Sequence, residues 1–211
     1  MKYLSQLSPA ECLLVLNGSD ISIKELLKYT FLDLVLKRVL KVVEVEKPIS
    51  SREGTRIYKY IKRGKAFNSY YPMEHEQAFL ATFKKERDSE ILMRHFVRIF
   101  FRMTGTESHY KSTLYKYPGI RSYFPQNWLQ RVTGVSAGTP ERLETAKKIN
   151  AEIKELEQSL PNLLKNDRFK AAEILEKIKG NVFLLKNTET SLHEQVEKEL
   201  TYELRDYLNR Y

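Results

Sequence analysis

One cysteine and one tryptophan, with eight glycines and seven prolines, are all that 211 residues hold of these four types. A lone thiol, Cys12, excludes an internal disulfide. Inside ECLLVL it reads as a small buried hydrophobe, with no nearby base to make it a nucleophile. So few glycines and prolines exclude many tight turns, and helix should dominate. No apolar run reaches the roughly 18 residues that a transmembrane helix needs, so no membrane span is expected. The opening MKYLSQLSPAECLLVL sets Glu11 ahead of its apolar run and does not read as a secretory signal. A cytoplasmic location is therefore the expectation.

Catalytic signatures are equally scarce. No glycine-rich loop follows a strand segment, which excludes the phosphate-loop and dinucleotide fingerprints. His75, His95, His109 and His193 are too scattered for a zinc set, and MEHEQAF has Phe79 where HExxH needs its second ligand. Glu74, His75 and Glu76 read instead as the acid-rich start of a helix, and His95 as a core or boundary residue. Gly134, Ser136 and Gly138 do spell G-x-S-x-G, but that elbow needs a strand before it and a helix directly after. Pro140 follows, and residues 127–132 already read as helix. A hydrolase at Ser136 is a remote alternative; the chain reads as non-enzymatic, with no cofactor and no metal.

What the chain has is positive charge. Its formal net charge is +9, on an otherwise ordinary globular composition of 42% apolar and 30% charged residues that argues against disorder. Residues 1–72 hold 13 cations against 7 acids, residues 73–139 hold 10 against 6, and residues 140–211 hold 13 against 14. The excess at the front permits an anionic partner there. It is densest in RIYKYIKRGK, residues 56–65, with five cations, two tyrosines and no acid.

Patterning sets that decapeptide in context. Ser8-Pro9-Ala10-Glu11 opens a helix with a capping serine, a first-turn proline and an acid at the positive end of the dipole; Asn17-Gly18 closes it. Apolar residues then recur at helical spacing from Ile23, and by residues 31–40 they nearly wrap the element. A valine-rich strand signal covers residues 39–46, and PISSREG, residues 48–54, reads as a polar turn. Residues 55–62 alternate strictly, with Arg56, Tyr58, Tyr60 and Lys62 on one face and Ile57, Lys59 and Ile61 on the other.

Two or three helices followed by a two-stranded hairpin resemble a winged-helix domain over about residues 8–67. In that comparison ELLKYTFLDLVLKRVLKVVEVE supplies a helix, a short break, a third helix and the first wing strand. TFLDLVLKRVLKVVE, followed later by YYPMEHEQAFLATF, is also similar to winged-helix-like tails of poorly characterised bacterial proteins that carry LxDLxxRGxLxV, with Val39 standing where that pattern has glycine. The resemblance implies that RIYKYIKRGK is the returning strand of the wing.

Beyond the hairpin, helix is expected from Pro72 and again over ILMRHFVRIFFRM, capped by Asp88, Ser89 and Glu90. Residues 106–139 read as an irregular, tyrosine-rich connection with a short element hidden in it. At Pro140 the composition changes. Leu143, Ala146, Ile149, Ile153, Leu156 and Leu160 step by three and four until Pro161 ends or kinks the helix. A second helix puts Phe169, Ala172, Leu175 and Ile178 on one stripe, and a third spans residues 191–207. The expected fold is thus mainly α with a small β-hairpin: a winged-helix-like part over 1–71, a helical and irregular segment over 72–139, and a C-terminal antiparallel bundle or arm over 140–211.

Three surfaces are candidates for function. Arg56, Tyr58, Lys59, Tyr60, Lys62, Arg63 and Lys65 suit phosphate contact or base stacking. Tyr115, Tyr117, Arg121, Tyr123, Phe124 and Trp128 suit a protein partner, or else pin an irregular segment to the core. The stripe from Leu143 to Leu160 suits self-association as a homodimer. A recognition helix needs polar residues facing the bases, whereas residues 31–38 are mostly apolar. The leading expectation is therefore a non-catalytic protein-interaction or self-association module. Its alternative is a nucleic-acid-binding regulator that uses the basic wing.

Overall fold

Ser8 starts the first substantial helix as its sequence implies. Its Oγ accepts the Glu11 N–H at 3.3 Å while its own N–H donates to Glu11 Oε2 at 2.7 Å, a reciprocal cap with Pro9 in the first turn. The computed structural model describes residues 1–50, 54–83, 89–124 and 139–186. A single turn α1 (Tyr3–Gln6) precedes this helix α2 (Pro9–Asn17), and α3 (Ile23–Leu36) follows, capped by Ser22. The long hairpin comes next, β1 (Leu40–Ser50) and β2 (Gly54–Arg63), then a short α4 (Gln77–Ala81). After it come β3 (Ile91–Leu92), α5 (Met93–Met103), α6 (Glu107–Tyr115), α7 (Pro140–Asn166) and α8 (Arg168–Ile178). The protein is mainly α, with one antiparallel sheet of order β1-β2-β3. Among the described residues no helix is long and apolar enough to cross a membrane.

The expected break before a third helix does not occur. α3 runs unbroken for 14 residues and buries Phe31, Leu32, Asp33 and Leu34 in succession. Where the helix is buried through residues 30–34 it has no need of a polar face, which is why apolar residues wrap it there, while Leu36 at its end is exposed. The chain turns into β1 at Arg38, whose φ is +58°. Glycine is therefore the residue this backbone favours at Arg38, and L-x-D-L-x-x-R-G counted from Asp33 and Leu34 also sets its glycine at Arg38 rather than at Val39. Gly64 closes the same corner, since a Cβ there would lie 2.0 Å from the Arg38 carbonyl oxygen. Side chains in the left-handed region cost about 1–2 kcal/mol, partly offset by glycine's entropy, so Arg38→Gly should gain about 0.5–1 kcal/mol. A thermal melt a few degrees higher is the expected reading; a lower one would show that the Arg38 side chain contributes more than its backbone costs.

Several boundaries move for identifiable reasons. β1 extends through Ser50 because Lys47 and Pro48 pair with Arg56 and Thr55, so strand takes residues assigned to the turn. Ile91 and Leu92 pair with Ile61 and Tyr60 as a third strand, and α5 starts only at Met93. Among the described residues of 106–139 a helix, α6, emerges, capped by Thr106, whose Oγ1 accepts the His109 N–H at 3.2 Å. α7 passes through Pro161, which sits on an exposed side where water can satisfy the Glu157 carbonyl left without its N–H. On α8 the buried stripe is Ala171 and Ile178 with Ile174 and Leu175 beside it, whereas Phe169 is 78% exposed. The helices expected at 127–132 and 191–207 lie outside the described residues.

One cluster of buried side chains runs from Leu4 to Leu185 and draws on all three stretches into which composition divides the chain. At its centre Phe31 of α3 meets Phe96 of α5 at 5.7 Å, Phe96 meets Phe83 and Phe100, and Phe79 stacks on Phe100 at 4.3 Å. Such ring pairs contribute beyond their area. The C-terminal third is tied in by polar staples. Glu152 of α7 accepts the N–H groups of Lys2, Tyr3 and Leu4, capping α1. Asn181 Nδ2 donates to the Leu4 and Leu7 carbonyls, and buried Arg142 donates to the Val15 carbonyl at 2.7 Å, near the end of α2.

Candidate functional site

Residues directly opposite each other in an antiparallel pair share a face, and faces alternate along each strand. The register therefore sorts the hairpin's side chains. Lys41↔Lys62, Val43↔Tyr60, Val45↔Tyr58 and Lys47↔Arg56 lie on one face. Leu40↔Arg63, Val42↔Ile61, Glu44↔Lys59 and Glu46↔Ile57 lie on the other. Both described hairpin acids, Glu44 and Glu46, fall on the second face, so the first carries four cations, two tyrosines and two valines with no strand acid. Leu40 and Ile61 anchor the base in the core, whereas Lys47, Pro48, Thr55, Arg56 and Ile57 are exposed. With each strand about 30 Å long, the far half of the hairpin stands out from the body.

The cations on this face are interleaved with the rings. Lys47 Nζ donates to the Tyr60 hydroxyl at 2.7 Å and lies 4.9 Å from that ring's centroid, and that hydrogen bond raises the exposed ammonium's pKa. The Arg56 guanidinium lies 5.7 Å from the Tyr58 ring. At the base, Lys62 pairs with Glu90 of a neighbouring segment at 2.9 Å. Lys41 is exposed.

Of the seven residues proposed for anion contact, the structure brings Arg56, Tyr58, Tyr60 and Lys62 together and separates the others. Lys59 faces the opposite way, is 14% exposed and pairs with Glu44 at 3.6 Å. Arg63 donates to the Phe83 carbonyl, and its guanidinium lies 4.4 Å over the Phe67 ring, so its charge is spent inside the fold. Lys65 is exposed but follows the strand. The face instead gains Lys41 and Lys47, which the sequence reading missed. Their signal was the same period-two alternation in KVVEVEK, legible only once the register is known.

The other candidate surfaces serve the fold. Phe124 is buried with its ring 4.6 Å from Tyr115, and Tyr115, Tyr117 and Tyr123 pack against the core, leaving Arg121 exposed. Trp128 and Ser136 lie outside the described residues. Ala146, Ile149, Leu156 and Leu160 are buried and Ile153 packs beside them, while Leu143 is 51% exposed. The stripe offered to a second copy is thus covered by this chain's own α1, α2 and α8. His95 is exposed on α5 beside Arg94, not a core residue.

A second constellation, absent from the sequence reading, is buried. Lys37 Nζ lies 2.6 Å from Asp33 Oδ2 and 3.6 Å from Glu76 Oε1, and Tyr70 donates to Glu76 at 2.8 Å. Asp33 and Glu76 are only 2% and 1% exposed, and fully buried Glu11 stands close enough to feel Lys37. Burial raises the Asp33 and Glu11 carboxyls above their ordinary range, offset in part by Lys37 at Asp33 and by the Ser8 hydrogen bonds at Glu11. Burial alone would lower the Lys37 ammonium, but Asp33 and Glu76 hold it well above its ordinary value. Gly180 seals the cluster, since a Cβ there would lie 2.2 Å from Asp33 Oδ1. His75, also buried, meets the Tyr110 ring at 6.3 Å and lines a cleft of about 320 Å³ with Glu74, His109 and Thr113. Among the described residues no group of three acids, histidines or cysteines is disposed to hold a metal. Compared with known proteins, the chain matches no family model, no curated protein and no solved structure.

Proposed function

We propose that the protein is a non-catalytic module that binds nucleic acid through the Lys41, Lys47, Arg56, Tyr58, Tyr60 and Lys62 face of its hairpin, as a winged-helix protein uses its wing. The observation that carries this reading is segregation. Four cations and two aromatic rings share one face of the hairpin, running from its base to its exposed far half, and both described hairpin acids are excluded from it. Like charges placed opposite each other, Lys41 with Lys62 and Lys47 with Arg56, destabilise a sheet, so their arrangement is better explained by an anionic partner than by the fold. A winged-helix protein also inserts a helix into the major groove. The burial of Leu32, Asp33 and Leu34 in α3 argues against that second contact, so binding is expected to be largely independent of base sequence.

Binding of this kind releases counterions. Four phosphate contacts predict a slope of log affinity on log salt of about −3 to −4. Fluorescence anisotropy with a labelled oligonucleotide over a salt series measures it. The triple variant Lys41→Glu/Lys47→Glu/Arg56→Glu should weaken binding about a hundredfold or more, while Lys147→Glu/Lys154→Glu on the exposed side of α7 should leave it nearly unchanged. No binding at low salt, or equal losses in both variants, would overturn the reading.

One observation favours a protein partner or a homodimer instead. Phe169 at 78% and Leu164 at 46% exposure set two large apolar side chains near the α7–α8 junction. Light scattering tests the homodimer: a dimer mass that Phe169→Asp reduces to a monomer supports association there, and a monomer mass throughout removes self-association.

A further inference from the structure

We infer that the hairpin face takes single-stranded nucleic acid, with two bases stacked on the Tyr58 and Tyr60 rings, in preference to duplex. The inference rests on the nucleic-acid reading above and adds the form of the ligand. Tyr58 and Tyr60 are alternate residues of one strand on one face, so their attachment points are about 7 Å apart. Consecutive bases in a duplex advance only about 3.4 Å along the axis and turn their π faces to each other. Two rings at this separation therefore match bases that have come apart from their neighbours. Single strands present such bases, and aromatic side chains on a sheet are a recurrent platform for them.

The rest of the face fits the same ligand. Val43 and Val45 lie opposite the two tyrosines and offer apolar flanks to a stacked base. Lys47 and Arg56, each within 6 Å of a tyrosine ring, are long enough to exchange that contact for a backbone phosphate when a base arrives. Lys41 and Lys62 mark the other end of the track. Reading base edges in a duplex groove calls for asparagine, glutamine or paired arginines. The described positions of the face offer none of these beyond Arg56, so a duplex would meet only its charges.

The full chain is titrated, by anisotropy at one fixed moderate salt, against labelled oligothymidine and oligouridine of about 20 nucleotides and against a duplex of the same length. The two single strands should bind about tenfold tighter than the duplex. Tyr58→Ala and Tyr60→Ala should each cost the single strands about tenfold and the duplex little, whereas Tyr58→Phe/Tyr60→Phe should retain binding because the ring supplies the stack. Circular dichroism checks that each variant is folded, and the strand preference of the unaltered chain needs no variant. Duplex bound as tightly as single strands overturns the stacking inference while leaving the charge-based reading intact. So does a folded alanine variant with unchanged affinity, or a phenylalanine variant that fails like alanine. Binding of neither form sinks both. A preference between oligothymidine and oligouridine, with the alanine losses in each, supports stacking and shows which of the two strands the face takes better.

Discussion

Lys37→Met should lower the free energy of unfolding by about 3–5 kcal/mol, the usual cost of stripping a buried ion pair of one partner. Lys37 is the cation against which Asp33 and Glu76 are held, at 2.6 and 3.6 Å, and both acids are almost fully buried. Glu11 Oε1 is a buried side-chain oxygen with no hydrogen-bond partner, and Asp33 is met by the Gly180 N–H as well as by Lys37, so Lys37 is the cation that balances this group of acids. Methionine keeps most of the stem's packing and removes the charge, leaving carboxyls that must take up protons or water. Urea unfolding at neutral pH measures the loss. Lys37→Met/Asp33→Asn should recover part of it, because the acid that the ammonium neutralises goes with it. A loss under about 1 kcal/mol for Lys37→Met would mean that the carboxyls are already protonated in the native state.

Acid should weaken the fold through His75. Burial first, then the nearby Lys37 charge, hold this imidazole near a pKa of about 3, well below its ordinary 6.5. A group depressed on folding contributes its full stability above its unfolded value and loses it as pH falls toward the folded one. Between pH 6.5 and 3 that loss is about 1.4 kcal/mol per pH unit. Glu11 and Asp33 act in the opposite sense. Their folded values are raised, so their contribution is complete below their ordinary 4.5 and 3.8 and is lost as pH rises through the folded values. The clean measurement is a difference. The stability gap between the native chain and His75→Gln should change by about 1.4 kcal/mol per pH unit from pH 6.5 to 4.5, the native chain losing more. Parallel pH profiles for the two proteins would show that His75 is protonated in the fold.

Much of this protein follows from local chemistry. The cap at Ser8, the excess of apolar residues on α3 and the alternation of β2 are each written in a few neighbouring residues, because capping and periodicity are local. That is why a mainly helical chain with one basic hairpin is legible without coordinates, and why four of the seven proposed contact residues do share a face. α6 is harder to see because tyrosine, serine and threonine are middling helix formers and only Thr106 marks its start. The third strand is two residues long, too short for any periodicity to declare it.

What the linear chain leaves open is which distant residues meet. Register decides that Lys41 and Lys47 join Arg56 and Tyr60, because side chains on partner strands combine only through the pairing, whereas alternation along β2 alone sends Lys59 and Arg63 to the other face. Packing decides that the stripe from Leu143 to Leu160 covers this chain's own α2, since an amphipathic helix looks the same whether its cover is itself or a second copy. The Glu11, Asp33, Lys37 and Glu76 cluster is invisible in sequence for the same reason. Its members are spread over 65 positions, and a charge's cost or benefit is set by its dielectric surroundings and partners, which exist only after folding.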